Sequence, residues 1–282
     1  MTEILATDGA RVTLFHDAPS WDGKPTMAVG KFTCESAEAG RAVLAQAETA
    51  ARDGGAARLL GPMDGNTWHS YRLVTESDGS PPFLMEPKSG PADLPAFTAA
   101  GFTPIARYFS ARVELAGMDN PPPFDPEITV ETWDGTDPEA HFGQVYDLSL
   151  AAFAGNAFYT PITREDFLGM YLPFVPMLRR EFVLFARNGE GALVGFLFGI
   201  PNYGSGPSPD TVILKTYAST RHGAGQALAS VFHDAARKAG FTHAIHALIH
   251  ETNVSAQRSE QLGGRLFRRY ALMGKVLDDD AR

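Results

Sequence analysis

The sequence predicts an α/β (α+β) protein built from two units of similar layout, and three observations carry that reading. A proline-rich segment divides the chain near its middle. Each side of it alternates β-rich runs with helical stretches. A spaced set of residues also recurs near the end of each side: Gly101, Arg107 and Tyr108 in the first, Gly263, Arg269 and Tyr270 in the second.

The divider is residues 119–126, Asp-Asn-Pro-Pro-Pro-Phe-Asp-Pro. Proline fixes its own torsion and has no backbone donor, so this segment can continue neither a helix nor a central strand. It is expected to be a linker between units at 1–118 and 127–282. In the second unit, 127–131 predicts a strand, 138–154 a helix, and 164–178 a helix interrupted at Pro173 and Pro176. Strands follow at 182–187, 192–200 and 212–218. Then Ala224, Ala227, Leu228, Val231, Phe232, Ala235, Ala236 and Ala239 recur at the spacing that gives a helix one apolar stripe, and Gly240 stops it. Residues 242–249 predict a strand, 254–262 a short helix and 266–277 a final strand. The first unit repeats the plan: strand 27–32, alanine-rich helix 36–53, strand 57–60, short helix 94–100 and long strand 103–115. The shared order and the Gly-x5-Arg-Tyr match point to an internal duplication.

The net charge is -9, which excludes a sequence-independent grip on nucleic acid, since that needs a basic surface. Cys34 is the single cysteine, so neither an internal disulfide nor a Cys-based zinc site is available, and nothing calls for a metal. It is read as a small buried residue. Residues 1–25 hold no apolar core segment of a signal peptide, and no run approaches the roughly 20 apolar residues of a membrane span. A cytoplasmic protein is expected.

The chemistry concentrates at 215–228, Lys-Thr-Tyr-Ala-Ser-Thr-Arg-His-Gly-Ala-Gly-Gln-Ala-Leu. The order is strand, glycine-containing turn, helix start. A helix start offers unpaired N–H groups and a positive dipole end to an anion. Gly223 and Gly225 would let the backbone across Gly223, Ala224, Gly225 and Gln226 approach a phosphate closely. Arg221 and His222 add donors at the same corner.

This stretch resembles the signature of the GNAT N-acyltransferase superfamily, a strand leading into Gln/Arg-x-x-Gly-x-Gly/Ala and a long helix. Thr220 falls at the Gln/Arg position, and Asn253 looks like the asparagine that precedes the family's later short helix. The resemblance spans about 127–275. It implies two GNAT-like domains, each a mixed, mostly antiparallel sheet flanked by helices, with the first degenerate. It also implies acetyl-CoA or another acyl-CoA as cofactor, with its pantetheine arm on the backbone of Thr216, Tyr217 and Ala218. The implied activity is transfer of an acyl group to an amine of a small molecule or peptide, without nucleic acid or membrane, and with a homodimer left open. Many members carry a Tyr in the last short helix as general acid. Ser259 and Glu260 stand in that neighbourhood here.

Acyl transfer from a thioester needs a neutral amine, a polarised carbonyl and a proton for the thiolate. Glu251, directly after a strand, ranks first as base, with His250 and His246 beside it. His246 and His250 are four apart and are expected on one strand face. Tyr270 is the candidate proton donor. Phe153, Phe158, Tyr159 and Tyr171 are expected to line an acceptor pocket, with Trp68, His69 and Tyr71 closing over it. The first unit has no glycine in its strand–helix turn at 33–37, and Glu35 is expected to cap that helix and exclude a phosphate. One cofactor site per chain follows. Two other readings stand beside this one: a GNAT-like protein that binds ligand without catalysis, and a tandem GNAT-like aminoacyl ligase, against which the acidic balance counts.

Overall fold

A computed structural model describes residues 1–118 and 125–278. The linker expected at 119–126 lies mostly outside them.

The first unit opens with strands β1 (Thr2–Thr7) and β2 (Ala10–Phe15), joined at Gly9 with φ +72°. Then come β3 (Thr26–Cys34), α1 (Ala37–Asp53), β4 (Arg58–Gly61), β5 (Leu73–Ser77), α2 (Asp93–Ala99) and β6 (Thr103–Glu114). The second contains β7 (Thr129–Thr132), α3 (Pro138–Phe153), α4 (Arg164–Tyr171), β8 (Val183–Arg187), β9 (Leu193–Pro201) and β10 (Thr211–Ser219). It ends with α5 (Ala224–Lys238), β11 (His243–His250), α6 (Val254–Gln261) and β12 (Arg265–Val276). The first hairpin and β5 are additions to the sequence reading. Asp8-Gly9 between two alternating runs was the missed hairpin signal. As expected, the prolines cut the 164–178 helix short: α4 gives way to a 3-10 turn at Leu172–Met177.

The two units do not keep separate sheets. One twelve-stranded sheet runs β1-β2-β3-β4-β12-β6-β11-β10-β9-β8-β7, with β5 against β12. The order shows an exchange. The parallel pair β3–β4 is extended by β12 of the other unit, and the parallel pair β10–β11 by β6 of the first. β6 and β12 pair antiparallel at the centre with Tyr108 directly opposite Tyr270. The repeated Arg-Tyr pairs therefore meet at the sheet's centre. Gly101 and Gly263, the other members of the match, have φ +83° and +73° just after α2 and α6. Both serve as left-handed helix stops, where only glycine avoids a Cβ clash.

Helix packing follows the apolar stripes. α1 buries Val43, Leu44, Ala47 and Ala51, and α5 buries Ala224, Ala227, Leu228, Phe232 and Ala236. Ser36 caps α1, its hydroxyl accepting from the Ala39 N–H at 3.2 Å. The cap is thus a hydroxyl one residue after Glu35, which corrects the expectation for that carboxylate.

Candidate active site

A cleft of about 1830 Å³ opens where β10 and β11 part. The two strands are paired only from Thr211–Leu214 against His243–His246. A bulge then interrupts each: between Leu214 and Thr216 in β10, and between His246 and Ile249 in β11. Beyond the bulges β10 stays paired with β9, but its other edge, at Thr216–Ala218, faces the gap. Backbone groups on such an edge are free to receive an extended amide chain. Thr216 and Tyr217 line the cleft. Ala218 is buried.

The turn after β10 fits a phosphate in its own way. Gly223 is the residue before α5, has φ +86° and makes no side-chain cap. The N–H groups of Gly225 and Gln226 have no backbone acceptor among the described residues. A Cβ on Gly225 would stand 2.8 Å from Nη1 of Arg258, which reaches over from α6. That guanidinium has no carboxylate partner among the described residues, and the sequence reading missed it. Gln226, Asn253 and Arg258 line the cleft, whereas Arg221, His222, Gly223, Ala224 and Gly225 do not. Arg221 is already committed to Asp125 and Glu127, 2.8 Å from each. His222 is exposed. Asn253 caps α6, its Oδ1 accepting from the Ser255 N–H at 3.0 Å. The residues present therefore suit a pyrophosphate at Gly225, Gln226 and Arg258, with Arg258 in the part expected of Arg221.

The four proton-transfer candidates separate. Glu251 accepts from Arg269 at 2.8 Å and does not line the cleft. Tyr270 is 1% exposed and sits inside the sheet, donating to Glu86 and lying 3.1 Å from the Ser110 hydroxyl. Burial first, and then the Glu86 carboxylate, push its phenol well above the ordinary range. It is a structural residue at the exchange between the units, which corrects its expected role. His246 lines the cleft but is buried in its wall; the more open candidate is His250. Burial, with the charge of Arg72, pulls its pKa down, so the ring is neutral near pH 7. The Thr252 N–H donates to its Nδ1 at 3.2 Å, which leaves the ring proton on Nε2. His250 is thus set to donate a hydrogen bond rather than accept a proton.

His246 does not share the setting of His250. The β11 bulge and Leu248, at φ +59°, break the alternation between the two histidines. His246 instead lies 2.9 Å from His233 of α5 and 2.9 Å from Ser259 of α6. Burial holds this pair neutral, His246 pulled down to about 3 and His233 to about 4. Cys34 is half-buried and donates to Asp93 at 3.7 Å. Burial pushes its thiol up to about 11, so it is a poor nucleophile.

The far wall is aromatic and comes from both units. Phe153, Tyr159 and Tyr171 line the cleft, as do Trp68, His69 and Tyr71 from the loop after β4. Trp68 packs edge-on to Phe153 and Phe167, and its indole donates to the Thr160 carbonyl at 2.9 Å. Phe158 instead packs with the central cluster around Tyr108 and Tyr270. Two further cleft residues were missed by sequence reasoning. Arg72 is 6% exposed with φ +73°, its guanidinium carbon 3.8 and 4.0 Å from the ring centres of Tyr71 and Tyr108. Lys215 sits at the β10 bulge, and burial, with Arg72 nearby, pulls its pKa to about 8. Nothing local in the sequence marks Arg72. Lys215, a charge inside an apolar strand run, was a usable signal.

The matching place in the first unit is filled. β3 and β4 pair only from Thr26–Ala28 against Arg58–Leu60. Beyond that, the Met63 N–H donates to the Val29 carbonyl at 2.8 Å, and the Asp64 carboxylate accepts from the Lys31 N–H at 2.6 Å. A Cβ on Gly30 would run into the Met63 carbonyl. The chain's own backbone occupies the slot that is open between β10 and β11.

No protein-family model matches the chain, and no curated protein matches it. Solved structures do. A GCN5-related N-acetyltransferase from Sphaerobacter thermophilus is similar over 95% of this chain and 77% of its own, at 14% identity and a TM-score of 0.60. A tandem GNAT protein from the clavulanic acid biosynthesis pathway covers 96% of this chain and 80% of its own, at 16% identity and a TM-score of 0.55. A GCN5-related N-acetyltransferase from Anabaena variabilis covers 98% and 62%, at 7% identity and a TM-score of 0.54. With the split strands, the glycine turn and the repeated element order, these likenesses identify the fold as that of the GNAT superfamily in a tandem arrangement.

Proposed function

We propose that the protein is an acyl-CoA-dependent N-acyltransferase with one cofactor site per chain, in the second unit. The observation that carries this reading is the opening between β10 and β11, with a glycine turn and Arg258 at its end. Acyl-CoA supplies the thioester: the amine nitrogen bonds to the acyl carbon, the C–S bond breaks, the amine gives up a proton, and the departing thiolate takes one from water. The chain's residues bind and orient. Gly225, Gln226 and Arg258 hold the pyrophosphate, the free edge of β10 at Thr216–Ala218 holds the pantetheine, and Nε2–H of His250 donates to an oxygen in the cleft. The three carboxylates that line the cleft are engaged elsewhere: Asp64 with Lys31, Glu86 with Arg268 and Asp93 with Gly90. The amine's proton therefore leaves to water. The aromatic wall receives a small-molecule or peptide amine, and residues 1–118 supply part of that wall.

A second reading is a cofactor-binding protein without catalysis, favoured by Tyr270 and Glu251 both lying outside the cleft. Calorimetry with acetyl-CoA, run beside a thiol-release assay over mixed amines, separates the two. The proposal expects one site per chain and thiol release that depends on an amine. Two sites per chain, or no binding, would overturn it, and binding without release would establish the second reading.

A further inference from the structure

The cleft has an electrostatic imbalance that acyl-CoA binding does not use. Two cations, Arg72 and Lys215, project into it from opposite units. Arg72 is held rigidly. Its backbone is in the left-handed region, its guanidinium packs on Tyr71 and Tyr108, and Nη1 donates to the Leu248 carbonyl at 3.2 Å. Its Nε is buried with no partner. A non-glycine residue at such a φ, with an unpaired buried donor, is costly, and such costs cluster at functional sites. Lys215 makes no hydrogen bond or ion pair among the described residues. No free carboxylate faces either cation, because Asp64, Glu86 and Asp93 are each already engaged. A chain of net charge -9 has no shortage of carboxylates for pairing. The compensating anion is missing from the protein itself.

We propose that Arg72 and Lys215 bind a carboxylate of the reacting substrate, so that the enzyme acts on an amine or an acyl group that carries a free carboxylate. This rests on the acyltransferase reading and narrows its substrate. The carboxylate is bound and not transformed, so the acyl-transfer step is unchanged. The fork of Arg72 supplies directional N–H donors and Lys215 a point charge, a combination that favours a planar anion over a neutral amide. A buried charged donor left unpaired is what makes a site reject the neutral analogue.

Two probe panels locate the carboxylate. The first sets phenylalanine, leucine and glutamate against their α-amides as acceptors; the second sets succinyl-CoA against acetyl-CoA. Binding is titrated by calorimetry to wild type, Lys215→Met and Arg72→Gln. In one panel the carboxylate form should bind at least tenfold tighter than its neutral counterpart, and Lys215→Met should cut that preference tenfold or more. The panel that responds tells whether acceptor or acyl group bears the carboxylate. Should Arg72→Gln fail to fold by circular dichroism, Lys215→Met decides alone. Equal binding of charged and neutral forms overturns the proposal. So does a preference that survives Lys215→Met, or binding of no carboxylate probe at all. Free CoA titrated to the same proteins keeps the two readings apart. CoA binding with no carboxylate preference sinks this inference alone, whereas a preference without CoA binding sinks the acyltransferase reading alone.

Discussion

Lys215→Met should make the protein more stable, and the gain should vanish at high pH. Lys215 has its pKa pulled from 10.5 to about 8, chiefly by burial and further by Arg72. A displacement of 2.5 units corresponds to a penalty on the charged form of about 3 kcal/mol, at 1.36 kcal/mol per unit. Methionine has a similar shape and no charge, so it removes that penalty and keeps the packing of the stem. Some of the penalty is relieved by side-chain relaxation and water, so a gain of about 1–3 kcal/mol at pH 7 is expected. The sign with pH follows from proton binding. Between about pH 8 and 10.5 the unfolded lysine is protonated while the folded one is losing its proton. The unfolded state then binds more protons, and wild-type stability rises with pH across that window. Below pH 8 the penalty is present in full; above 10.5 it is gone. Urea unfolding of both proteins at pH 7 and pH 10.5, compared as a difference, cancels the titration of Cys34 and the tyrosines. A Met variant no more stable than wild type at pH 7, or a gap that stays constant with pH, would refute the reasoning.

Three further outcomes are expected. Gly225→Val should weaken CoA binding about 100-fold, or ~2.7 kcal/mol, in calorimetry. Its side chain displaces Arg258 and crowds Tyr217, and Gly223 is the poorer site for this test because its φ of +86° adds backbone strain of its own. Glu251→Gln should change the acyl-transfer rate less than about fivefold in the thiol-release assay, because Glu251 pairs with Arg269 and does not line the cleft; a loss of 10²–10⁴, the usual effect of removing a base, would restore it to that role. Stability should fall as pH drops from 6.5 towards 4 and fall less in His233→Phe, since the unfolded histidines take up protons there while the buried His233–His246 pair stays neutral; equal acid sensitivity of the two proteins in urea melts would count against the buried neutral pair.

The elements that the sequence made legible were those with strong local period or punctuation. The α5 stripe and its stop at Gly240 are each set by a few adjacent residues, and both stand as read. What escaped was set by contacts between distant residues. Arg258 enters the cofactor turn only because α6 follows β11 back toward α5. Arg72 reaches Leu248 across 176 positions of chain. The β11 bulge, which separates His250 from His246, has no local marker, since Leu248 is a poor candidate for φ +59° on sequence grounds. Tyr270 was misplaced for a related reason: alternation along a strand cannot say that the neighbouring strand belongs to the other unit.

The exchange of β6 and β12 decides what the first unit is for. Had each unit kept its own last strand, residues 1–118 could have been a detachable lid. Instead β6 closes the edge of β11, from His243↔Glu114 to His250↔Tyr108, on the strand that forms one side of the open cleft. The Ser110 hydroxyl of β6 accepts from the Leu248 N–H at 3.0 Å, which fixes the bulged backbone whose carbonyl in turn anchors Arg72. The first unit therefore shapes the second unit's site through backbone pairing as well as through the Trp68 wall. Its own slot could be filled by Met63 and Asp64 at no functional loss, because its contribution passes through β6. The symmetry of the duplication survives in the sheet, with Tyr108 facing Tyr270, and is broken where the cofactor is expected to bind. Removing residues 1–118 would strip β11 of its partner and leave a long unpaired edge beside the cleft, so the second unit has no independent way to keep the gap between β10 and β11 in its present shape.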